Sequence, residues 1–109
     1  MSKSLISNEH KCVRCGNTYN LHKHHIYAGG FRKISEKYGC WCYLCANCHV
    51  GNRGVHNTTE GQHYWLYLKA LCQERFEDLY SHDLFMQNFK RDWRYIYDNY
   101  IKQQSTDAL

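Results

Sequence analysis

Two kinds of apolar spacing divide the chain. Between residues 21 and 44 the apolar positions come in short runs separated by glycines, whereas beyond residue 57 they recur at intervals of three and four. The first kind predicts strands. Residues 21–27 read as a strand leading into Ala28-Gly29-Gly30, where two glycines interrupt any regular element. Residues 32–38 read as a short helical turn stopped by Gly39, and residues 40–44, an unbroken run of Cys, Trp, Tyr and Leu, as a second strand. Two short strands joined by a loop make a ribbon.

The second kind predicts helices. After a flexible loop at residues 51–54, Asn57-Thr58-Thr59-Glu60 has the capping-box form that begins a helix. Trp65, Leu68, Cys72, Phe76 and Leu79 then fall on one stripe. Ser81-His82-Asp83 interrupts, and a second stripe through Phe85, Phe89, Trp93, Ile96 and Tyr100 makes the end of the chain an antiparallel helical pair. Such stripes are core, and no chemistry is assigned to them. The expected class is α+β, in one domain spanning residues 1–109, with frayed ends before about residue 9 and after about residue 103.

Composition narrows the reading. A chain of 109 residues buries a modest core, which a metal can supplement. A formal charge of +4 permits nucleic-acid binding without requiring it, and the lack of proline with 16% aromatic content, ten residues being Tyr, argues against disorder. No stretch approaches the roughly 20 apolar residues of a membrane span.

Cysteine spacing carries the first chemistry. Cys12/Cys15 and Cys45/Cys48 form two Cys-x-x-Cys knuckles, and two such turns complete a tetrahedral S₄ zinc site. Gly16 fits a knuckle that needs positive φ. Seven cysteines could instead be a disulfide framework. The odd count and the absence of an apolar targeting segment at the N-terminus favour a reduced, cytoplasmic chain. Cys72 lies in a helical stripe and reads as core; Cys40 and Cys42 share one strand face, where either could compete for the metal.

Eight histidines is a high count for this length, and His24, His25, His49 and His56 cluster around the knuckles. Adjacent histidines on a strand point to opposite sides, so one can bind an ion while the other addresses something else. Hydrolysis of a phosphodiester needs that division: an ion on the phosphate, and a neutral imidazole to take a proton from water. His10, His22, His63 and His82 read as surface or packing residues, His22 being nearest the site.

The order Cys-x-x-Cys, His24-His25-Ile26, and a hydrophobic strand ending Leu44-Cys45-x-x-Cys48-His49, with His56 beyond, resembles the HNH endonucleases of the ββα-metal, or His-Me finger, group. The run from His24-His25-Ile26-Tyr27-Ala28-Gly29-Gly30 to Gly39, with the later Gly54-Val55-His56, is similar to small HNH proteins of bacteriophages and prophages. This resemblance implies a zinc-stapled ββα-metal core at residues 9–75 with a helical extension at 76–103. It implies His25 as general base, and His24, His49 and His56 as ligands of a catalytic divalent cation, Mg²⁺ or another. It implies Cys12, Cys15, Cys45 and Cys48 as structural zinc ligands, and DNA products with 5′-phosphate and 3′-hydroxyl ends. Arg32, Lys33, Lys37 and Arg53 would meet the DNA backbone. Two departures stand out: Cys40 occupies the region of the family's middle Asn, leaving the orienting partner of the base unassigned, and residues 51–54 lengthen the spacing between His49 and His56.

Two functions are therefore weighed. One is an endonuclease nicking or cutting DNA inside the host cell of a phage or prophage, as a homodimer or by sequential nicks if both strands are cut, with packaging or recombination proteins as partners. The alternative is a non-catalytic zinc module that binds nucleic acid or protein. A thiol redox role through Cys40 and Cys42 ranks third, since nothing around them activates a thiolate.

Overall fold

In the computed structural model, residues 3–107 are described, with side chains to residue 104. Strand β1 (Leu21–His25) pairs antiparallel with β2 (Trp41–Cys45), Leu21 opposite Cys45 and His25 opposite Trp41. The fold is a small α+β arrangement of this ribbon and five helices: α1 (Arg32–Tyr38), α2 (Ala46–His49), α3 (Thr59–Leu79), α4 (His82–Phe89) and α5 (Trp93–Asp107). Among these helices none is long and apolar enough to cross a membrane.

The strand pairing brings the flanks of both strands to one end. The Cys12–Cys15 turn is tied to β2 by Val13 N–H donating to the Tyr43 carbonyl at 3.0 Å, and Ala46 N–H donates to the Asn20 carbonyl at 2.9 Å. At the other end, α1 hangs from the ribbon through the buried Ser35, whose hydroxyl donates to the Tyr27 carbonyl at 2.7 Å. Helix α1 stops where expected, at Gly39 in the left-handed conformation.

Helix α3 covers the ribbon face. Trp65 Nε1 donates to the Ile26 carbonyl at 2.8 Å and the Tyr27 hydroxyl donates to the Lys69 carbonyl at 2.6 Å. Beneath it Ile26, Cys40, Cys42, Leu44, Leu68, Cys72, Phe76, Phe85 and Phe89 form one core. The extension is packed into that core, with the Phe89 ring 4.4 Å from Tyr27.

Four expectations shift. The cap of α3 is Thr58, accepting from Gly61 N–H at 2.9 Å, one residue later than the capping box places it; Glu60 turns instead to Arg14 and Arg53. Leu79 leaves the buried stripe, 65% exposed, because the chain turns back at Ser81 and α4 packs on Phe76. The second stripe is two helices, broken at Lys90, which has a φ of 68°. Helix α5 restarts with Asp92 Oδ1 accepting from Tyr95 N–H at 3.1 Å and with buried Gln73, whose Oε1 accepts from Trp93 N–H at 2.8 Å and Arg94 N–H at 3.1 Å. The antiparallel pair is thus α3 with α5, His63 beside Tyr100 and Tyr67 beside Tyr97. Finally, the N-terminal segment is not frayed: Ser4 is buried, Leu5 N–H donates to the Gly39 carbonyl at 2.8 Å, and Arg75 donates to the carbonyls of Leu5 and Ile6.

Candidate metal centre

Cys45 ends β2 and caps α2, which carries Cys48, and the paired strands bring both to the Cys12–Cys15 turn. The four sulfur atoms lie within 4.8 Å of one another, as a single ion requires. Gly16, with a φ of 81°, closes the first knuckle as expected, its N–H donating to the Cys12 carbonyl at 2.9 Å. Burial raises the Cys45 thiol, but the Cys48 amide and the neighbouring sulfurs outweigh it and bring it down to about 7. The group could hold zinc. Cys40, Cys42 and Cys72 lie outside it, all buried, and burial pushes the Cys42 and Cys72 thiols up, so these two stay protonated core residues rather than rivals for the ion.

A second cluster sits beside the first. His24 points inward from β1, His49 ends α2, and His56 lies in the turn before α3; one nitrogen of each falls within 4.8 Å of the others. The long spacing between His49 and His56 is absorbed because residues 51–54 fold back, with Val55 N–H donating to the Cys48 carbonyl and His56 N–H to the His49 carbonyl. Gly61 makes the closure feasible, since a Cβ there would collide with the Gly54 carbonyl. His24 is only 2% exposed, and its Nε2 is buried without a hydrogen-bond partner. With one such nitrogen unpartnered beside two other imidazoles, the three residues could hold a metal ion.

All three rings are poor bases. Burial, and then the neighbouring histidines, lower His24 to about 3 and His49 to about 4; burial also lowers His56. They are neutral at pH 7, the form that ligates metal.

His22 belongs to this site, although the sequence reading treats it as packing. Its Nδ1 lies 2.9 Å from His49 Nδ1, while His49 Nε2 faces His56 Nε2 at 3.1 Å. With the proton on His49 Nδ1 and donated to His22 Nδ1, the His49 Nε2 lone pair is left for an ion, the partner on the other ring nitrogen fixing the tautomer. The available signal was position: His22 and His24 share a strand face.

His25 faces away from His24. Its Nε2 lies 2.9 Å from Glu36 Oε2, and the other carboxylate oxygen takes Lys23 Nζ at 2.6 Å. Lys23, and then His25, hold the Glu36 carboxyl below its usual value despite some opposing burial. An ionised carboxylate has no proton to give, so His25 Nε2–H donates, and Nδ1 is the ring atom left to accept a proton. No family model, curated protein or solved structure matches the chain.

A cleft of about 290 Å³ is lined by Lys23, His24, His25, Ala28, Arg32, His49 and His56. It adjoins a wider groove of about 750 Å³ that Arg32, Lys33 and Glu36 help to line. Four predicted histidines and two of the four predicted cations thus meet. Lys37 and Arg53 line neither cavity; Lys37 lies over the Tyr38 ring, and Arg53 pairs with Glu60 at 3.3 Å. His10 packs on Tyr43, His63 on Tyr100, and His82 pairs with Glu77.

Proposed function

We propose that the protein is a metal-dependent endonuclease of the HNH, ββα-metal type that hydrolyses DNA phosphodiester bonds, with His25 as general base. The observation that carries this reading is the orphaned His24 nitrogen within a triad of neutral imidazoles, in the same cleft as a His25–Glu36 pair. The ribbon followed by α2 and its histidine agrees with the ββα-metal arrangement. The alternative, a zinc module without activity, is served by the four cysteines alone and has no need of this second cluster.

His24, His49 and His56 would hold the catalytic cation, which supplies Lewis-acid stabilisation of charge on the phosphate and the departing 3′ oxygen. The chain's own residues supply the rest. His25 Nδ1 accepts the proton of the attacking water, and Glu36 steadies both the tautomer and the imidazolium that forms. Glu36 thereby takes the orienting role that the missing family Asn leaves open, and Lys23 holds Glu36 ionised and in place. Arg32, in the cleft wall, meets the phosphate bearing the reacting oxygen, and Lys33 meets its neighbour along the groove.

Three imidazoles suit a borderline transition ion better than Mg²⁺, which prefers oxygen ligands. Cleavage of a labelled duplex should therefore be faster with Mn²⁺ or Ni²⁺ than with Mg²⁺, and the products should carry ligatable 5′-phosphate and 3′-hydroxyl ends. Ends bearing 3′-phosphate would contradict departure of the 3′ oxygen, and cutting faster with Mg²⁺ than with Mn²⁺ or Ni²⁺ would contradict the imidazole ligand set.

A further inference from the structure

We propose that Lys69 and Arg91, held against the indoles of Trp65 and Trp93, form a second phosphate seat for the DNA strand, beside the histidine triad and separate from the Arg32–Lys33 groove. The proposal rests on the DNA reading above and extends it to the C-terminal helices.

Lys69 Nζ lies 4.4 Å from the Trp65 ring centroid and 4.1 Å from that of Trp93. The Arg91 guanidinium stands 5.3 Å from the same Trp93 ring. Two indoles converging on one ammonium restrain a side chain that on an open surface would sample many rotamers. Among the described residues no carboxylate comes within ion-pairing distance of Lys69 or Arg91, in contrast to Arg14, Lys23 and Arg94. Burial, and then the like charge of Arg91, lower the Lys69 ammonium from its ordinary value. A half-buried cation beside a second cation, with no carboxylate at hand, is stabilised by an incoming anion.

The anion is identified by the seat's location. Trp65 also packs on the triad, its ring 4.7 Å from that of His24 and 4.8 Å from that of His56. One indole therefore backs both the ammonium and the proposed scissile site. A strand whose reacting phosphate sits at the triad offers further phosphates at about 3.4 Å per step along the duplex axis, so a neighbour comes within reach of Lys69. A polyanion with regularly spaced charges uses both seats together; an isolated anion uses only one.

The test uses the full chain, zinc-loaded and carrying His25→Ala so that DNA is bound without being cut. Affinity for a labelled duplex is measured across a salt series with Lys69→Met, which keeps an apolar stem against both indoles, and with Arg91→Gln on its exposed side chain. Each should lower the slope of log affinity against log salt by about 0.9, one phosphate contact, with the thermal midpoint unchanged. Slopes equal to the parent's in both variants would overturn the seat, even where Arg32→Ala lowers its own slope and so upholds the groove. Failure of the folded parent to bind DNA at low salt would overturn the DNA reading itself. If Lys69→Met does not fold, Arg91→Gln decides alone.

Discussion

His25→Ala should cut DNA about 10²–10⁴-fold more slowly than the wild type, the usual worth of a positioned general base, while keeping its zinc and its cooperative melt. The separation is expected because His25 is not part of the buried core. It lies partly covered on the opposite face of β1 from His24, its side chain 18% exposed and its imidazole bonded to Glu36, while the buried neighbour His24 belongs to the triad. Glu36→Gln should fall between wild type and His25→Ala. An amide oxygen can still accept from Nε2–H, but the charge that steadies the imidazolium is gone. Single-turnover cleavage with circular-dichroism melts on the same samples checks both, and His25→Ala cutting at the wild-type rate would remove it as the base.

Cys45→Ser should lose the fold. Cys45 ends β2, caps α2 and lies with its sulfur 3.6 Å from that of Cys15, so its loss opens the knuckle pair and releases the helix that carries His49. Structural zinc contributes about 10–16 kcal/mol of apparent folding free energy, against a total stability of about 5–15 kcal/mol for an ordinary domain. Removing the ion therefore removes a contribution as large as the whole margin. The expected result is a chain without bound zinc and without a cooperative melt. A zinc-free variant melting at the wild-type midpoint would show that the four cysteines are not a structural site.

The ribbon and the knuckles were legible because their signals are local: Gly39 stops α1, Cys-x-x-Cys spacing dictates a turn, and alternation sends His24 and His25 to opposite faces. The helical region was legible in its stripes but not in its breaks. Phe85, Phe89 and Trp93 keep a helical interval straight through Lys90, where the chain turns left-handed; α5 restarts where Asp92 accepts from Tyr95 N–H and the side chain of Gln73, twenty residues upstream of Trp93, accepts from Trp93 N–H. Site residues divide in the same way. The histidine cluster is visible in the sequence and the resemblance implies the triad within it, but Glu36 and His22 are indicated by neither. Glu36 reaches His25 because Ser35 anchors α1 to Tyr27, and His22 reaches His49 because pairing of the strands aligns the start of β1 with the beginning of α2. Neither contact has a sequence signature, since each depends on how one element is docked on another. Lys37 and Arg53 show the converse: their basic character suggests DNA, while the fold sets them outside both cavities, beside an aromatic ring and a glutamate.

The most direct measurement is the conversion of supercoiled plasmid by zinc-loaded wild-type protein and by His25→Ala of equal zinc content, with and without added Mn²⁺ or Mg²⁺. The endonuclease reading predicts relaxation or linearisation that requires the added metal and disappears in the variant. No conversion with any divalent metal, or equal conversion by the variant, would contradict it.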